Sequence, residues 1–371
     1  MERNTKIDKL TIAIPGLFWQ DVGDIDYLYP KIKLDNLAKI LKHAKMSIIP
    51  GSYGELIYSL DDIQGDYAQG LVMQQIATQK LAAQEVAKTE KCSITSNYSA
   101  KYSGFLIAEP THLRLNRDCL QISESELLQL NETECQSIID SVNAHFNSEI
   151  KLHYLTENMW LFCHNLDIGL LDNNQFYPIL DIIGEDINDY MPRDSNGILL
   201  NKIINEIQML LYNLSINQQR LSNGSLSVNS LWLWNKNINQ TLLTSYSKIY
   251  ANNLTKLISH AKITSARISS DKISLIPDSI NTAFENNSLI IIDNLYYPCC
   301  YRDGFSWMDK LQQLDQTLWL ALNTQLGQIK ELNILIPQKQ NTIKLTIKSG
   351  YKYKFWQNQQ LINLVKESHA L

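Results

Sequence analysis

Extended backbone from His112 to Asp118 would set His112, Arg114, Asn116 and Asp118 on one face and Leu113 and Leu115 on the other, because strand side chains alternate. Such a polar face suits an oxyanion: Arg offers a bidentate fork, and His and Asn add directional donors. The same alternation also describes a solvated strand packed only through its leucines. A second polar group surrounds the most regular helical pattern in the chain. Asn217 and Arg220 follow it, and Asn229 precedes the run Leu231-Trp232-Leu233-Trp234. Polar side chains at the ends of regular elements are where α/β proteins present ligand groups. They are also where Asn serves caps and turns.

Nucleophile and cofactor motifs are absent: there is no G-x-S-x-G, P-loop, G-x-G-x-x-G or H-E-x-x-H, and the seven histidines make no i, i+4 pair. Cys163-His164 and Cys299-Cys300 are adjacent pairs. In extended strands neighbours point to opposite faces, so neither pair reads as a metal site. Glu185, Asp186 and Asp189 read as loop surface. The Leu-Trp-Leu-Trp run could be an aromatic platform, but it reads more simply as a core strand buried on both sides. No catalytic residue, metal ligand or cofactor is expected.

The elements that would position these residues follow from hydrophobic period. Lys9 to Ile14 reads as a strand ending at Pro15-Gly16, and Leu34 to His43 as a helix with Leu34, Leu37, Ala38 and Leu41 on one face. Met46 to Ile49 reads as a strand and Leu71 to Thr89 as a long helix. Gly104 to Ala108 then reads as a strand, Ser123 to Asn147 as helical turns, and Ile150 to Thr156 with Met159 to His164 as a hairpin around Glu157-Asn158. Leu200, Ile203, Ile204, Ile207, Leu210, Leu211 and Leu214 follow helical spacing, and Val228 to Trp234 reads as a strand. In the last third, Leu242 to Ala261 and Trp307 to Leu326 read as helices, with Leu289 to Ile292 and Leu332 to Ile336 as strands. Ile343, Leu345 and Ile347 share one face of a strand expected at an antiparallel edge.

Composition narrows the classes. A chain of 371 residues suits one large domain with an insertion, or two domains. Apolar residues make up 44% and charged residues 19%, which excludes a mainly disordered chain. A net charge of −5 without a dense Lys/Arg run argues against nucleic acid. No apolar stretch approaches a membrane span, and no signal-peptide pattern opens the chain. Six cysteines without framework spacing read as free thiols of a reducing compartment, so a cytoplasmic location is expected.

Four segments together resemble a bacterial family: Ile14-Pro15-Gly16-Leu17-Phe18-Trp19, Glu109-Pro110-Thr111-His112-Leu113-Arg114, Asn205-Glu206-Ile207-Gln208-Met209-Leu210-Leu211, and Val228-Asn229-Ser230-Leu231-Trp232-Leu233-Trp234. They look like the RpfE-type regulatory proteins, in order and spacing, from the N-terminus to Phe355-Trp356. That family is in turn similar to the archaeal-type, cofactor-independent phosphoglycerate mutases of the alkaline phosphatase superfamily. Arg114 and Asn116 match an Arg-x-Asn segment of those enzymes, and Asn217, Arg220 and Asn229 match further polar positions. Leu214, Ser215, Trp234 and Asn235 depart from the enzyme pattern. The superfamily's acidic metal ligand at the end of the first strand is replaced by Pro15-Gly16, and two-metal chemistry needs such ligands.

The resemblance implies an α/β fold, with a mainly parallel sheet flanked by helices as an alkaline-phosphatase-like core, and an inserted α+β subdomain. The core would comprise residues 1–97 and 235–371, and the insertion residues 98–234. It further implies a catalytically degenerate protein that binds a small anionic, phosphorylated metabolite through His112, Arg114, Asn116, Asn217, Arg220 and Asn229, or acts in regulation. An active metal-dependent mutase or phosphatase with displaced ligands is one alternative. A protein-interaction scaffold is another.

Overall fold

In the computed structural model the described residues are 6–60, 63–73, 101–116, 118–123, 125–147, 149–166, 177–238, 245–252, 272–277, 279–349 and 360–370. The strands, in chain order, are β1 (Ile7–Ala13), β2 (Lys45–Pro50), β3 (Gly65–Asp66), β4 (Gly104–Thr111), β5 (Leu113–Asn116), β6 (Cys119–Ile122), β7 (Ile150–Thr156), β8 (Met159–His164), β9 (Ser230–Trp234), β10 (Asn237–Ile238), β11 (Lys248–Ala251), β12 (Ile273–Leu275), β13 (Ser288–Ile291), β14 (Ile329–Pro337) and β15 (Asn341–Lys348). The α-helices used below are α1 (Val22–Leu28), α2 (Asp35–Leu41), α3 (Tyr53–Tyr58), α4 (Glu132–Phe146), α5 (Ser195–Tyr212), α6 (Ser215–Ser222), α7 (Tyr296–Cys300), α8 (Gly304–Leu314), α9 (Leu320–Gln325) and α10 (Leu361–Ala370). The chain divides into two compact units. One comprises Met1–Ile57, Leu242–Lys256 and Ser269–Leu371, and the other Tyr58–Thr241 and Leu257–Ile268.

The first unit holds a seven-stranded sheet in the order β12-β11-β13-β1-β14-β15-β2. Its first five strands are parallel, and β15 and β2 continue it antiparallel to their neighbours. Parallel strands lie under cover on both faces and therefore read as continuous apolar runs. Leu10, Ile12 and Ile290 are fully buried in that way, and Leu289 to Ile292 pairs parallel with the first strand despite the distance in sequence. Helices α2, α8 and α9 supply Leu37, Ile40, Leu41, Trp307, Leu311 and Leu322 to the same core.

The turn after β1 is built by glycine. Gly16 has φ +78°, and a Cβ there would lie 2.6 Å from the Leu295 carbonyl oxygen. Trp307 Nε1 donates to the Gly16 carbonyl at 2.7 Å, closing this strand end with buried chain.

Helix α2 has Leu34 at its N-cap, which offers no side-chain oxygen. Its free amides are met from elsewhere in the unit: Asp315 accepts from Leu37 N at 2.8 Å and from Asn36 N at 3.2 Å. A π-helical turn, Asp315–Trp319, separates α8 from α9 and carries that carboxylate. Such a turn carries one wider loop of backbone than an α-helix.

The second unit contains a four-stranded antiparallel sheet, β7-β8-β4-β9. Strands β7 and β8 form the expected hairpin, with a bulge between Tyr154 and Thr156. Every residue of β9 is buried although it is the sheet's last strand, because α5 packs against it. Helix α5 turns Leu200, Ile203, Ile204, Ile207 and Leu211 inward.

Several expectations are corrected. Ala38 is exposed on α2, and Ile40 takes the buried position instead, since a seven-residue helix presents only a narrow stripe. Lys248–Ala251 is a parallel strand, where apolar spacing predicted helix; residues 245–247 and 252 beside it are not helical, and residues 242–244 and 253–261 of that predicted helix lie outside the described residues. The predicted helix over Leu71 to Thr89 is described only to residue 73, and residues 67–73 are helical. Cys299 and Cys300 lie in α7, not in a strand. The alternating strand β15 is not the edge, because β2 pairs outside it.

Candidate functional site

The six residues expected to bind a ligand all lie in the second unit, where four of them form a polar network through the backbone they hold, Asn217 and Arg220 buried and His112 and Asn229 half-buried. Asn217, in the first turn of α6, donates from Nδ2 to the carbonyls of Leu211 and Val228 and accepts from Val228 N at 2.9 Å. Arg220, one turn on, donates from Nε to the Leu226 carbonyl at 2.8 Å and from Nη1 to Glu134 Oε1 at 2.6 Å. Its Nη2 donates to the Leu128 carbonyl. Asn229 grips the backbone of Leu113 at both ends, accepting from its N–H at 2.7 Å and donating to its carbonyl at 2.8 Å. His112 Nδ1 lies 2.8 Å from the Ser227 carbonyl, and since a carbonyl only accepts, Nδ1 carries the hydrogen.

The chemistry of this network is that of a clamp. The loop between α6 and β9 runs through irregular backbone, whose amides and carbonyls need partners wherever they are buried. Asn217 and Arg220 supply them from inside, each with less than one-tenth of its surface exposed. Glu134 serves twice: it completes a capping box with Asn131 at the start of α4 and neutralises the Arg220 guanidinium.

Arg114 and Asn116 lie outside this network. They ride on β5, paired with β6 in a two-stranded hairpin in which Arg114 faces Gln121 and Asn116 faces Cys119. Both are exposed, and Asn116 Nδ2 donates to Gln121 Oε1 at 3.0 Å. Gln121 in turn donates to the Gly184 carbonyl at 2.8 Å, tying the hairpin to the loop that carries Glu185, Asp186 and Asp189. Leu115, expected to pack beneath this face, is 77% exposed, with no layer over it among the described residues. The extended stretch ends at Asn116.

A buried carboxylate not singled out from spacing lies close by on β4. Glu109 Oε1 accepts from Trp234 Nε1 at 2.6 Å and from the Tyr58 hydroxyl at 3.2 Å, and the Tyr67 ring stacks on Trp234. The only sequence signal for it was the Glu-Pro-Thr-His-Leu-Arg segment itself. The aromatic residues of the Leu-Trp-Leu-Trp run thus serve the core: Trp232 donates to the Tyr177 carbonyl and Trp234 to Glu109.

In the first unit, the ends of parallel strands β11 and β13 bring together Asn252, Asp293 and Asn294, with Asn252 Nδ2 donating to Asp293 Oδ1 at 3.0 Å. Asn252 was hidden by the helical reading of its segment. Among the described residues no group of three or more His, Cys, Asp or Glu is placed to hold a metal ion. Burial pushes the thiols of Cys135, Cys163 and Cys299 up to about 12, which removes nucleophilic thiolate at neutral pH. Burial likewise holds His153 and His164 down to about 4, so both are neutral imidazoles at pH 7.

No family model matches the chain, and no curated protein matches it. Among solved structures it is similar to the PH0037 protein of Pyrococcus horikoshii, at 10% identity and a TM-score of 0.44 over 97% of this chain and 92% of that one. It is also similar to a cofactor-independent phosphoglycerate mutase of Thermoplasma acidophilum, at 12% identity and a TM-score of 0.38 over 97% and 94%. No helix among the described residues is long and apolar enough to cross a membrane.

Proposed function

We propose that this protein is a catalytically degenerate, RpfE-type relative of the cofactor-independent phosphoglycerate mutases, in which residues 98–234 act as an inserted α+β subdomain that recognises a small phosphorylated acid. The observation that supports the reading is the double grip of Asn229 on Leu113, which fixes the start of the strand that offers Arg114 and Asn116 to solvent. On this reading Arg114 is the anion's bidentate partner and Asn116 its directional neighbour, while His112 has given its Nδ1–H to the Ser227 carbonyl and helps to hold the strand start. Asn217, Arg220 and Asn229 act as positioning residues, because their polar atoms already hold backbone. The role is regulatory or sensory, with no turnover and no resident metal.

Calorimetric titration with 2- and 3-phosphoglycerate tests it. Saturable binding is expected, weakened about tenfold or more by Arg114→Ala, as fits loss of a hydrogen bond to a charged group. Near-stoichiometric manganese or zinc together with mutase turnover would overturn the degenerate reading in favour of an active enzyme. The scaffold reading has one observation of its own, the exposure of Met209, Tyr212 and Leu221 on α5 and α6.

A further inference from the structure

Strand β2 ends the seven-stranded sheet and pairs with β15 alone along all six of its residues. In an antiparallel pair alternate residues turn their N–H and C=O groups away from the neighbour, so the last strand carries an open row of donors and acceptors. No other backbone hydrogen bond reaches Lys45–Pro50 among the described residues. Lys45, Ser47, Ile48 and Pro50 are all exposed.

The chain leading into β2 is basic, against the charge of the whole chain. Net charge is −5, yet Lys31, Lys33, Lys39, Lys42 and Lys45 fall within a stretch whose only acid is Asp35. The register adds a sixth lysine: Lys45 stands opposite Thr346 and Ser47 opposite Lys344, which makes Lys45 and Lys344 diagonal neighbours on one face. Lys33, Lys39, Lys42, Lys45 and Lys344 make no ion pair among the described residues. Lysines on an edge strand repel a second copy of themselves and discourage uncontrolled pairing. Against an acidic strand the same charges attract, so the edge discriminates by sign.

We propose that the open edge of β2 is a strand-addition site for an extended acidic segment of a partner protein, which would become an eighth strand of the sheet. Main-chain hydrogen bonds supply the attachment and the lysines the selectivity.

The test is fluorescence anisotropy of the full-length protein with a short labelled peptide of alternating Val and Glu, read together with amide hydrogen exchange. Saturable binding and new protection of the β2 amides are expected. The double variant Lys45→Glu/Lys344→Glu should weaken binding about tenfold or more, through like-charge apposition, with its urea midpoint compared to that of the unaltered protein to separate loss of binding from loss of fold. A peptide of the same charge with alternate amides N-methylated should not bind. Equal binding of that peptide would reduce the effect to charge alone and overturn the proposal. Protection that maps to other amides would overturn it too, as would a concentration-dependent dimer that protects β2 without peptide.

Discussion

Arg220 carries a full charge into a site where only 5% of its side chain remains exposed, and Glu134 is its one ionised partner among the described residues. Removing a single member of such a pair strands the other in a medium that cannot solvate it, at a cost of about 3–5 kcal/mol. Glu134→Gln should therefore lower the urea midpoint sharply, and Arg220→Lys should do nearly as much, because lysine cannot reach Leu226, Leu128 and Glu134 in one fork. Unchanged midpoints would show that the guanidinium is not the clamp drawn here. His164 gives a second prediction at this scale. Its pKa is lowered from the ordinary 6.5 to about 4 by burial, so folding favours the neutral ring. That stability is fully present above pH 6.5 and is lost as pH falls toward 4, because the unfolded chain binds the proton first. Urea midpoints should decline across that window, and less steeply in His164→Leu; parallel declines would assign the slope to other groups.

Between helix and helix, Asp315 does for α2 what Leu34 cannot. Asp315→Ala leaves the amides of Asn36 and Leu37 without their carboxylate and should cost about 2 kcal/mol in thermal or urea unfolding, the upper range for loss of a cap. Gly16→Ala should be destabilising as well, since the added methyl meets the Leu295 carbonyl at a positive φ. These cross-element contacts were invisible in the sequence: neither the π-helical turn nor the distant capping of α2 leaves a local signature. Elements with their own period were legible, as with Leu200 to Leu211 in α5 or Ile343, Leu345 and Ile347 in β15. Lys248–Ala251 was not, because a strand covered on both faces lacks alternation and its apolar residues fit a helical template equally well. The polar positions around Asn217, Arg220 and Asn229 were found as a group, while their inward orientation depends on a loop path that spacing cannot encode. Arg114 and Asn116 were legible as a face, but the exposure of Leu115 was not, since alternation does not say whether a layer lies beneath.

At the scale of the whole chain, each compact unit has its own sheet and its own buried apolar residues. Loss of the Arg220 clamp is accordingly expected to act on one unit. In Arg220→Lys, hydrogen exchange should accelerate in β4, β9 and α4 while amides of β1 and β14 keep their protection; equal acceleration in both would mean a single cooperative block. The central position of β1 has a consequence for how the chain is made. Its two hydrogen-bonded neighbours, β13 and β14, begin at Ser288 and Ile329. At ordinary synthesis rates the first strand therefore waits on the order of 15–60 s after leaving the ribosome before either neighbour exists. During that time an apolar strand with both edges open is in solution, the condition under which nascent chains mispair. Folding of the seven-stranded sheet must thus wait until β13 and β14 have been made, closure of very long loops limits its rate, and refolding from denaturant should be slow and sensitive to protein concentration.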